Sequence, residues 1–125
     1  MAKAIHMMVR VLDLERSERF YRDVLGLAVA DRFDFDGFTL VYLRNQEADF
    51  EVELTLNKGR ELPYTHGDAY GHVAFAVEGI DNVVAGLRAR GIGLVGELET
   101  YNDAYRLCYV RGPEGIIVEL AEKIG

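Results

Sequence analysis

Hydrophobic and polar residues alternate along two stretches of the chain, residues 5–11 and residues 71–77. Alternation with a period of two is typical of a β-strand that buries one face, so both stretches are predicted strands. In the first, His6, Met8 and Arg10 share one face, and apolar side chains occupy the other. In the second, a histidine again stands near the start. We call the sheet face that carries the histidine the histidine face.

Each of these strands is followed by a turn and then by a pattern typical of a helix. The first helix is predicted to begin after an N-cap at Asp13 and to end at Gly26. The second is predicted to be capped by Asp81 and to end at Gly91. Three further strands are predicted after each helix, at residues 27–33, 39–44 and 50–56 in the first half and 94–99, 105–110 and 116–122 in the second.

The chain therefore consists of two βαβββ modules: module 1 at about residues 4–57 and module 2 at about 71–123. A linker containing glycine and proline, about residues 58–70, joins them. A module of about 60 residues buries so little apolar surface that it is marginally stable alone, so the two modules are expected to pack on each other or on those of a second chain. The predicted fold class is thus α+β, a single domain over residues 1–125 in which paired modules form a curved mixed sheet with a cleft on one face.

The two modules repeat their polar residues at the same spacing. His72 follows His6 by 66 residues, and Glu53 and Glu119 each lie 47 residues after the histidine of their own module. Strand alternation puts all four residues on the histidine faces. Two histidines and two glutamates are the ligand types of a borderline divalent metal such as zinc, nickel or cobalt. We therefore predict a metal site built from these four residues.

The alternative is that these residues are ordinary solvated side chains on the outer face of a sheet. Met8, Ala74 and Ile117 lie on the same faces, however, and favour the wall of a cavity over a surface in bulk water. Glu51 points to the same side as Glu53 and is a second candidate ligand, but it has no counterpart at the repeat spacing.

Composition narrows the range of functions. The 125 residues include 14 basic and 21 acidic ones, and a net charge of −7 disfavours nucleic-acid binding. The longest apolar run, residues 73–77, is far shorter than the roughly 20 residues of a membrane span. The single cysteine, Cys108, excludes an internal disulfide and is more typical of a core residue than of a nucleophile. We expect a cytoplasmic protein with no membrane or nucleic-acid partner.

At these residues the chain resembles the vicinal oxygen chelate superfamily, also known as the glyoxalase, bleomycin resistance and dioxygenase superfamily. The resemblance covers nearly the whole chain and is closest to the glyoxalase I (lactoylglutathione lyase) family of the short bacterial type. It rests on Glu-Leu-Thr-Leu-Asn at residues 53–57, Ala-Tyr-Gly-His at 69–72, and Gly-Pro-Glu-Gly at 112–115 before Val-Glu-Leu at 118–120. The sequence motif at residues 20–27 is typical of the wider superfamily.

The resemblance implies an enzyme that detoxifies methylglyoxal. Such an enzyme converts the hemithioacetal of methylglyoxal and glutathione to a thioester through an enediolate. It also implies a homodimer with one divalent ion per site at the subunit interface, nickel or cobalt being favoured and zinc the alternative. His6 and Glu53 would come from one chain, and His72 and Glu119 from the other.

The resemblance also assigns roles to individual residues. Glu119 would be the catalytic base, and Glu53 a ligand that takes part in proton transfer. Arg10 and Asn57 match positions that contact the glutathione moiety, although they also suit an ordinary exposed strand residue and a turn residue. The segments 66–69 and 97–103 are acidic or neutral where family members often carry basic glutathione contacts.

Two other functions stay open at this stage. The first is another metal-dependent reaction of the superfamily on an oxygen-chelating substrate, catalysed by an epimerase, an iron oxygenase or a thiol transferase. The second is a non-catalytic drug-binding module of the bleomycin resistance kind, which the acidic balance of the chain would suit if the drug were cationic. The complete set of four ligand-type residues favours the glyoxalase I reaction over both.

Overall fold

The computed structural model describes residues 1–125, which form two compact units, Met1–Thr65 and His66–Gly125. Each unit contains one α-helix and one four-stranded sheet in the order βαβββ. The first unit contains module 1 and the second contains module 2. The predicted α+β class and the predicted order of elements are therefore confirmed in both.

In the first unit, strand β1 lies parallel to β4, and the strand order across the sheet is β1-β4-β3-β2. The other two strand pairs are antiparallel, so the sheet is mixed and β4 has a neighbour on each side. The elements are β1 (His6–Val11), α1 (Leu14–Leu25), β2 (Ala28–Asp34), β3 (Phe38–Arg44) and β4 (Glu51–Asn57).

The second unit repeats this arrangement with the strand order β5-β8-β7-β6, in which β5 lies parallel to β8. A short 3₁₀ turn, Pro113–Gly115, precedes the last strand. Helix α2 ends at Ala89, two residues before the predicted stop at Gly91. The elements are β5 (Val73–Ala76), α2 (Ile80–Ala89), β6 (Leu94–Tyr101), β7 (Tyr105–Arg111) and β8 (Ile117–Lys123).

Helix α1 has the ends that its sequence predicts. The Asp13 side chain accepts a hydrogen bond from the backbone N–H of Arg16 at 3.0 Å, which satisfies one of the free donors at the helix start. Gly26 closes the helix with a φ of 67°, a left-handed conformation that glycine adopts at little cost. Its buried residues, Tyr21 and Val24 among them, lie on one face of the helix.

The prediction that Asp81 caps helix α2 is wrong. The N-cap position is Gly79, which has no side chain to bond the free N–H groups. A carboxylate from β8 replaces it: Glu122 accepts hydrogen bonds from the N–H groups of Gly79 at 2.7 Å and Ile80 at 3.1 Å. Asp81 lies inside the first turn and pairs with Arg106 at 2.7 Å. The cap comes from 42 residues away in the chain, so local sequence does not reveal it.

The core of each unit lies on the sheet face opposite the histidine, as the alternation predicts. Its most deeply buried strand residues are Val41, Leu43, Val52 and Leu54 in the first unit and Cys108, Val110, Val118 and Leu120 in the second. Burial raises the pKa of the Cys108 thiol, which suits a packing role and not that of a nucleophile. Neither helix has the length and apolar character needed to cross a membrane.

Candidate metal centre

The parallel pairing of β1 with β4 brings the first histidine and glutamate together. His6 lies opposite Glu51 in the strand register, and Glu53 follows two residues further along β4 on the same face. The imidazole Nε2 of His6 reaches diagonally to the carboxylate Oε1 of Glu53, at 3.3 Å. The pair therefore forms because the two strands are neighbours, although 46 residues separate the two positions.

The second module reproduces this pair. His72 Nε2 lies 3.2 Å from Glu119 Oε1. Contrary to the prediction, His72 is not inside the strand but one residue before it, since β5 begins at Val73. The register is nevertheless preserved: Val73 lies opposite Val118, just as the residue after His6 lies opposite the residue before Glu53.

Burial and distance in both pairs suit a shared cation. The carboxylates of Glu53 and Glu119 are only 12% and 15% exposed, whereas the imidazoles of His6 and His72 are 38% and 41% exposed. A carboxylate oxygen and an imidazole nitrogen this close repel each other unless a proton or a cation lies between them. Two ligands that bind one zinc ion at about 2.1 Å lie about 3.0–3.4 Å apart, which matches both separations. The residues present therefore fit a divalent metal.

Each unit contributes only two of the four predicted ligands. The structure contains no group of three or more histidine, cysteine, aspartate or glutamate side chains arranged to hold a metal ion. We refer to the two pairs as the half sites of module 1 and module 2.

The sequence analysis missed a tyrosine beside each glutamate. Tyr42 on β3 lies directly opposite Glu53, and Tyr109 on β7 lies directly opposite Glu119. Each tyrosine ring also meets the histidine of its half site edge to face, with ring centroids 6.1 Å apart in module 1 and 5.1 Å apart in module 2. The tyrosines are 67 residues apart and not 66, so the repeat spacing that reveals the histidines and glutamates does not reveal them.

The environment of both phenols is dominated by burial and by the glutamate. Burial raises the pKa of Tyr42, and side-chain hydrogen bonding to Glu53 and the charge of that carboxylate raise it further. Burial likewise raises the pKa of Tyr109, again reinforced by hydrogen bonding to Glu119 and its charge. The two half sites are thus similar in electrostatics as well as in geometry.

The other predicted site residues have different surroundings. Arg10 is exposed on β1, on the same face as the module 1 histidine. Asn57 ends β4, and its Nδ2 donates a hydrogen bond to the phenol of Tyr64 at 3.2 Å. Glu51 lies 3.8 Å from Arg44 and is not paired with a histidine. Of the two glutamates on β4 that the sequence offered, only Glu53 therefore meets the histidine.

Apolar side chains lie beside the half site of module 1 and further along the same sheet. Met8 lies opposite Glu53 across the β1–β4 pair and is exposed. Phe33 packs edge to face against Tyr42, and the exposed rings of Phe35 and Phe38 stack with their centroids 4.7 Å apart. The glutamate is therefore partly shielded from water by apolar groups, which strengthens electrostatic interactions at this position.

Comparison with known proteins gives a consistent result. A sequence model of the glyoxalase/bleomycin resistance protein/dioxygenase superfamily matches residues 3–120. Lactoylglutathione lyase from Haemophilus influenzae is 36% identical over 124 residues, an alignment that covers 94% of this chain and 90% of that enzyme.

Solved structures agree with this sequence similarity. A glyoxalase family protein from Bacillus cereus superposes with a TM-score of 0.81 at 28% identity, covering 99% of this chain and 97% of its own. The trypanothione-dependent glyoxalase I of Leishmania major superposes with a TM-score of 0.80 at 33% identity, covering 98% of this chain and 87% of its own. The predicted family resemblance and fold are thereby confirmed.

Proposed function

This chain belongs to the glyoxalase/bleomycin resistance protein/dioxygenase superfamily, and we propose that it is a metal-dependent enzyme of the lactoylglutathione lyase kind. Its substrate is the hemithioacetal that methylglyoxal forms with a thiol, glutathione in the first instance. The product is the corresponding thioester, formed when a proton moves from one carbon to its neighbour through an enediolate.

The observation that carries this proposal is the duplicated His–Glu pair. Two unrelated surface histidines would not both lie 3.2–3.3 Å from a mostly buried carboxylate at the same register of two modules. Nitrogen and carboxylate oxygen ligands suit a borderline divalent cation, and we favour nickel or cobalt, with zinc as the alternative. When bound, such an ion supplies Lewis acidity toward adjacent oxygens of the substrate.

We further propose that two chains form a homodimer in which each metal site combines the half site of module 1 from one chain with that of module 2 from its partner. Each half site alone offers two protein ligands, fewer than the three or four that catalytic metal sites usually have. A two-chain arrangement supplies four ligands to each of two equivalent sites. The expected solution mass is about twice the 14.1 kDa of the chain.

In this reaction Glu119 takes the proton from the substrate carbon and returns it to the neighbouring carbon. A carboxylate that moves a proton in this way must be held close to the substrate and away from bulk water, since water would exchange the proton. The low exposure of Glu119 supports that role. Glu53 has the same burial in the other half site and is assigned as a ligand and as a partner in proton transfer.

Substrate binding is assigned to Arg10 and Asn57. The exposed guanidinium of Arg10 lies on the histidine face and can pair with a carboxylate of the thiol moiety. Asn57 lies on the same face at the end of β4, four residues beyond Glu53, where its amide can bond a peptide-like group of the thiol.

The proposal is tested by metal-stripped protein reloaded separately with nickel, cobalt, zinc or iron, and assayed for thioester formation from methylglyoxal and glutathione. Turnover is expected with nickel or cobalt. Glu119→Gln should abolish it, because an amide cannot accept the substrate proton. Glu51→Gln is the matched control: this glutamate lies on the same strand and face as Glu53 but pairs with Arg44, so its variant should retain metal binding and turnover.

Two results would count against the proposal. If no divalent ion bound the chain, or if Glu53→Gln and Glu119→Gln both bound metal as tightly as the unaltered protein, the assignment of the ligands would be wrong. If metal bound but no thioester formed, the metal centre would stand and the substrate would be a different oxygen-chelating compound of the superfamily.

A further inference from the structure

Both proposed carboxylate ligands have a tyrosine on the adjacent antiparallel strand. Tyr42 and Glu53 are direct cross-strand partners, as are Tyr109 and Glu119. Direct cross-strand partners on one face have Cβ atoms about 4.5–5.5 Å apart, close enough for the phenol of one to meet the carboxylate of the other.

The hydroxyl group is the part of these side chains that packing does not explain. A phenylalanine ring would make the same edge-to-face contact with the histidine and fill the same space. The hydroxyl adds a donor on the strand next to a mostly buried carboxylate, and this arrangement occurs in both modules. The recurrence therefore points to the hydroxyl–carboxylate contact itself.

Building on the proposed function, we infer that Tyr42 and Tyr109 are positioning residues that donate a hydrogen bond to the carboxylates of Glu53 and Glu119. A carboxylate has two oxygens, so a phenol that holds one fixes the rotation of the group and leaves the other for the metal ion.

The test removes only the hydroxyl groups. In Tyr42→Phe and Tyr109→Phe the ring stays, and each variant is expected to bind cobalt about 10-fold or more weakly, the usual size of an effect from a residue that orients a metal ligand. The absorption bands of bound cobalt should shift because the carboxylate is less well oriented.

Tyr101→Phe is the matched control. Its phenol also donates to a carboxylate, Glu99 at 2.7 Å, but that glutamate is not a proposed ligand. Its cobalt affinity and spectrum should equal those of the unaltered protein. In the loaded enzyme, Tyr109→Phe should lower kcat more than it raises KM, because Glu119 carries the proton and does not hold the thiol moiety.

The outcomes separate the two hypotheses. If the unaltered protein binds cobalt and both phenylalanine variants bind it with the same affinity and spectrum, the inference is overturned while the proposed function stands. If Tyr101→Phe weakens cobalt binding as much as the other two, the effect is general and the positioning role is again refuted. If the unaltered protein binds no divalent ion, the proposed function fails, and this inference fails with it.

Discussion

The two modules are alike where the candidate chemistry lies and differ in how their helices are held. In both, a glutamate and a tyrosine come from corresponding neighbouring strands, and the histidine is the first residue of the parallel strand in module 1 and the residue just before it in module 2. Helix α1, however, is capped by the adjacent residue Asp13, whereas the first N–H groups of α2 donate hydrogen bonds to the carboxylate of Glu122 on β8. The site geometry therefore depends on strand register and not on one particular way of starting the helix.

The surfaces beside the half sites differ as well. In module 1 strands β2 and β3 and the turn between them carry the exposed aromatic rings of Phe33, Phe35 and Phe38. In module 2 the corresponding strands, β6 and β7, carry exposed Tyr101 and Tyr105, and the phenol of Tyr101 donates a hydrogen bond to Glu99. The corresponding strands of the two modules thus present an apolar surface in module 1 and a polar, acidic surface in module 2.

The largest change in activity is expected from an experiment that tests whether the two half sites of one metal centre come from different chains. Glu53→Gln and Glu119→Gln should each be nearly inactive alone. When the two variants are unfolded together and refolded as a mixture, half of the dimers are mixed, and each mixed dimer has one intact site. Thioester formation should therefore recover to about a quarter of the unaltered activity.

A control mixture makes this experiment decisive. In a mixture of His6→Ala and Glu53→Gln, the half site of module 1 is damaged in every chain. No combination of subunits can then form an intact site, so no activity should return. Failure of Glu53→Gln and Glu119→Gln to complement each other, in a mixture shown to exchange subunits, would mean that both half sites of one centre belong to the same chain.

The second prediction concerns the borrowed helix cap. Hydrogen bonds from the N–H groups of Ile80 and Gly79 lower the pKa of Glu122 in the folded state below its ordinary value of 4.5. A depressed folded-state pKa contributes stability that is fully present above the ordinary value and is lost as the pH falls through the folded-state value. Glu122→Gln should therefore melt at a lower temperature than the unaltered protein at pH 7, and the difference should shrink below pH 4.5.

Asp13→Ala removes the cap of the other helix, α1, which is supplied by the residue next to the helix in the chain. Removing the N-cap of α1 should lower the free energy of unfolding by about 1 kcal/mol, as for other N-caps. Both variants should keep the cobalt affinity of the unaltered protein, because neither residue belongs to a half site. Thermal melts from pH 7 to pH 3, followed by circular dichroism, measure both effects. A melting-temperature difference for Glu122→Gln that did not change across this range would refute the charged-cap explanation.

Local patterns and repeat spacing were enough to predict much of this structure. Period-two alternation predicted the strands, the Asp13 and Gly26 signals predicted both ends of α1, and the repeat spacing predicted which glutamate meets each histidine. Each of these features depends on residues close in sequence or on a repeat that preserves its spacing.

The features that sequence reasoning missed depend on contacts between distant residues. Glu122 reaches a helix start that lies 42 residues earlier, a relation that no cap motif records. The two tyrosines do not follow the 66-residue spacing of the histidines and glutamates. The reason is that the chain from Tyr42 to Glu53 is one residue longer than the chain from Tyr109 to Glu119. Their pairing becomes evident only when the antiparallel strand register is known.

The smallest effect on stability is expected at a pair of corresponding core positions. One is a cysteine in module 2 and the other a valine in module 1, and each faces a leucine. Cys108 faces Leu120 in module 2, and Val41 faces Leu54 in module 1, all of them buried. Because module 1 accommodates valine in this setting, Cys108→Val should change the free energy of unfolding by less than about 1.5 kcal/mol. Since burial also raises the thiol pKa, the native cysteine should react with a thiol reagent only when the strand opens. Rapid labelling of the native protein would instead mean that this thiol is accessible, and loss of turnover in a folded Cys108→Val variant would mean that it takes part in the reaction.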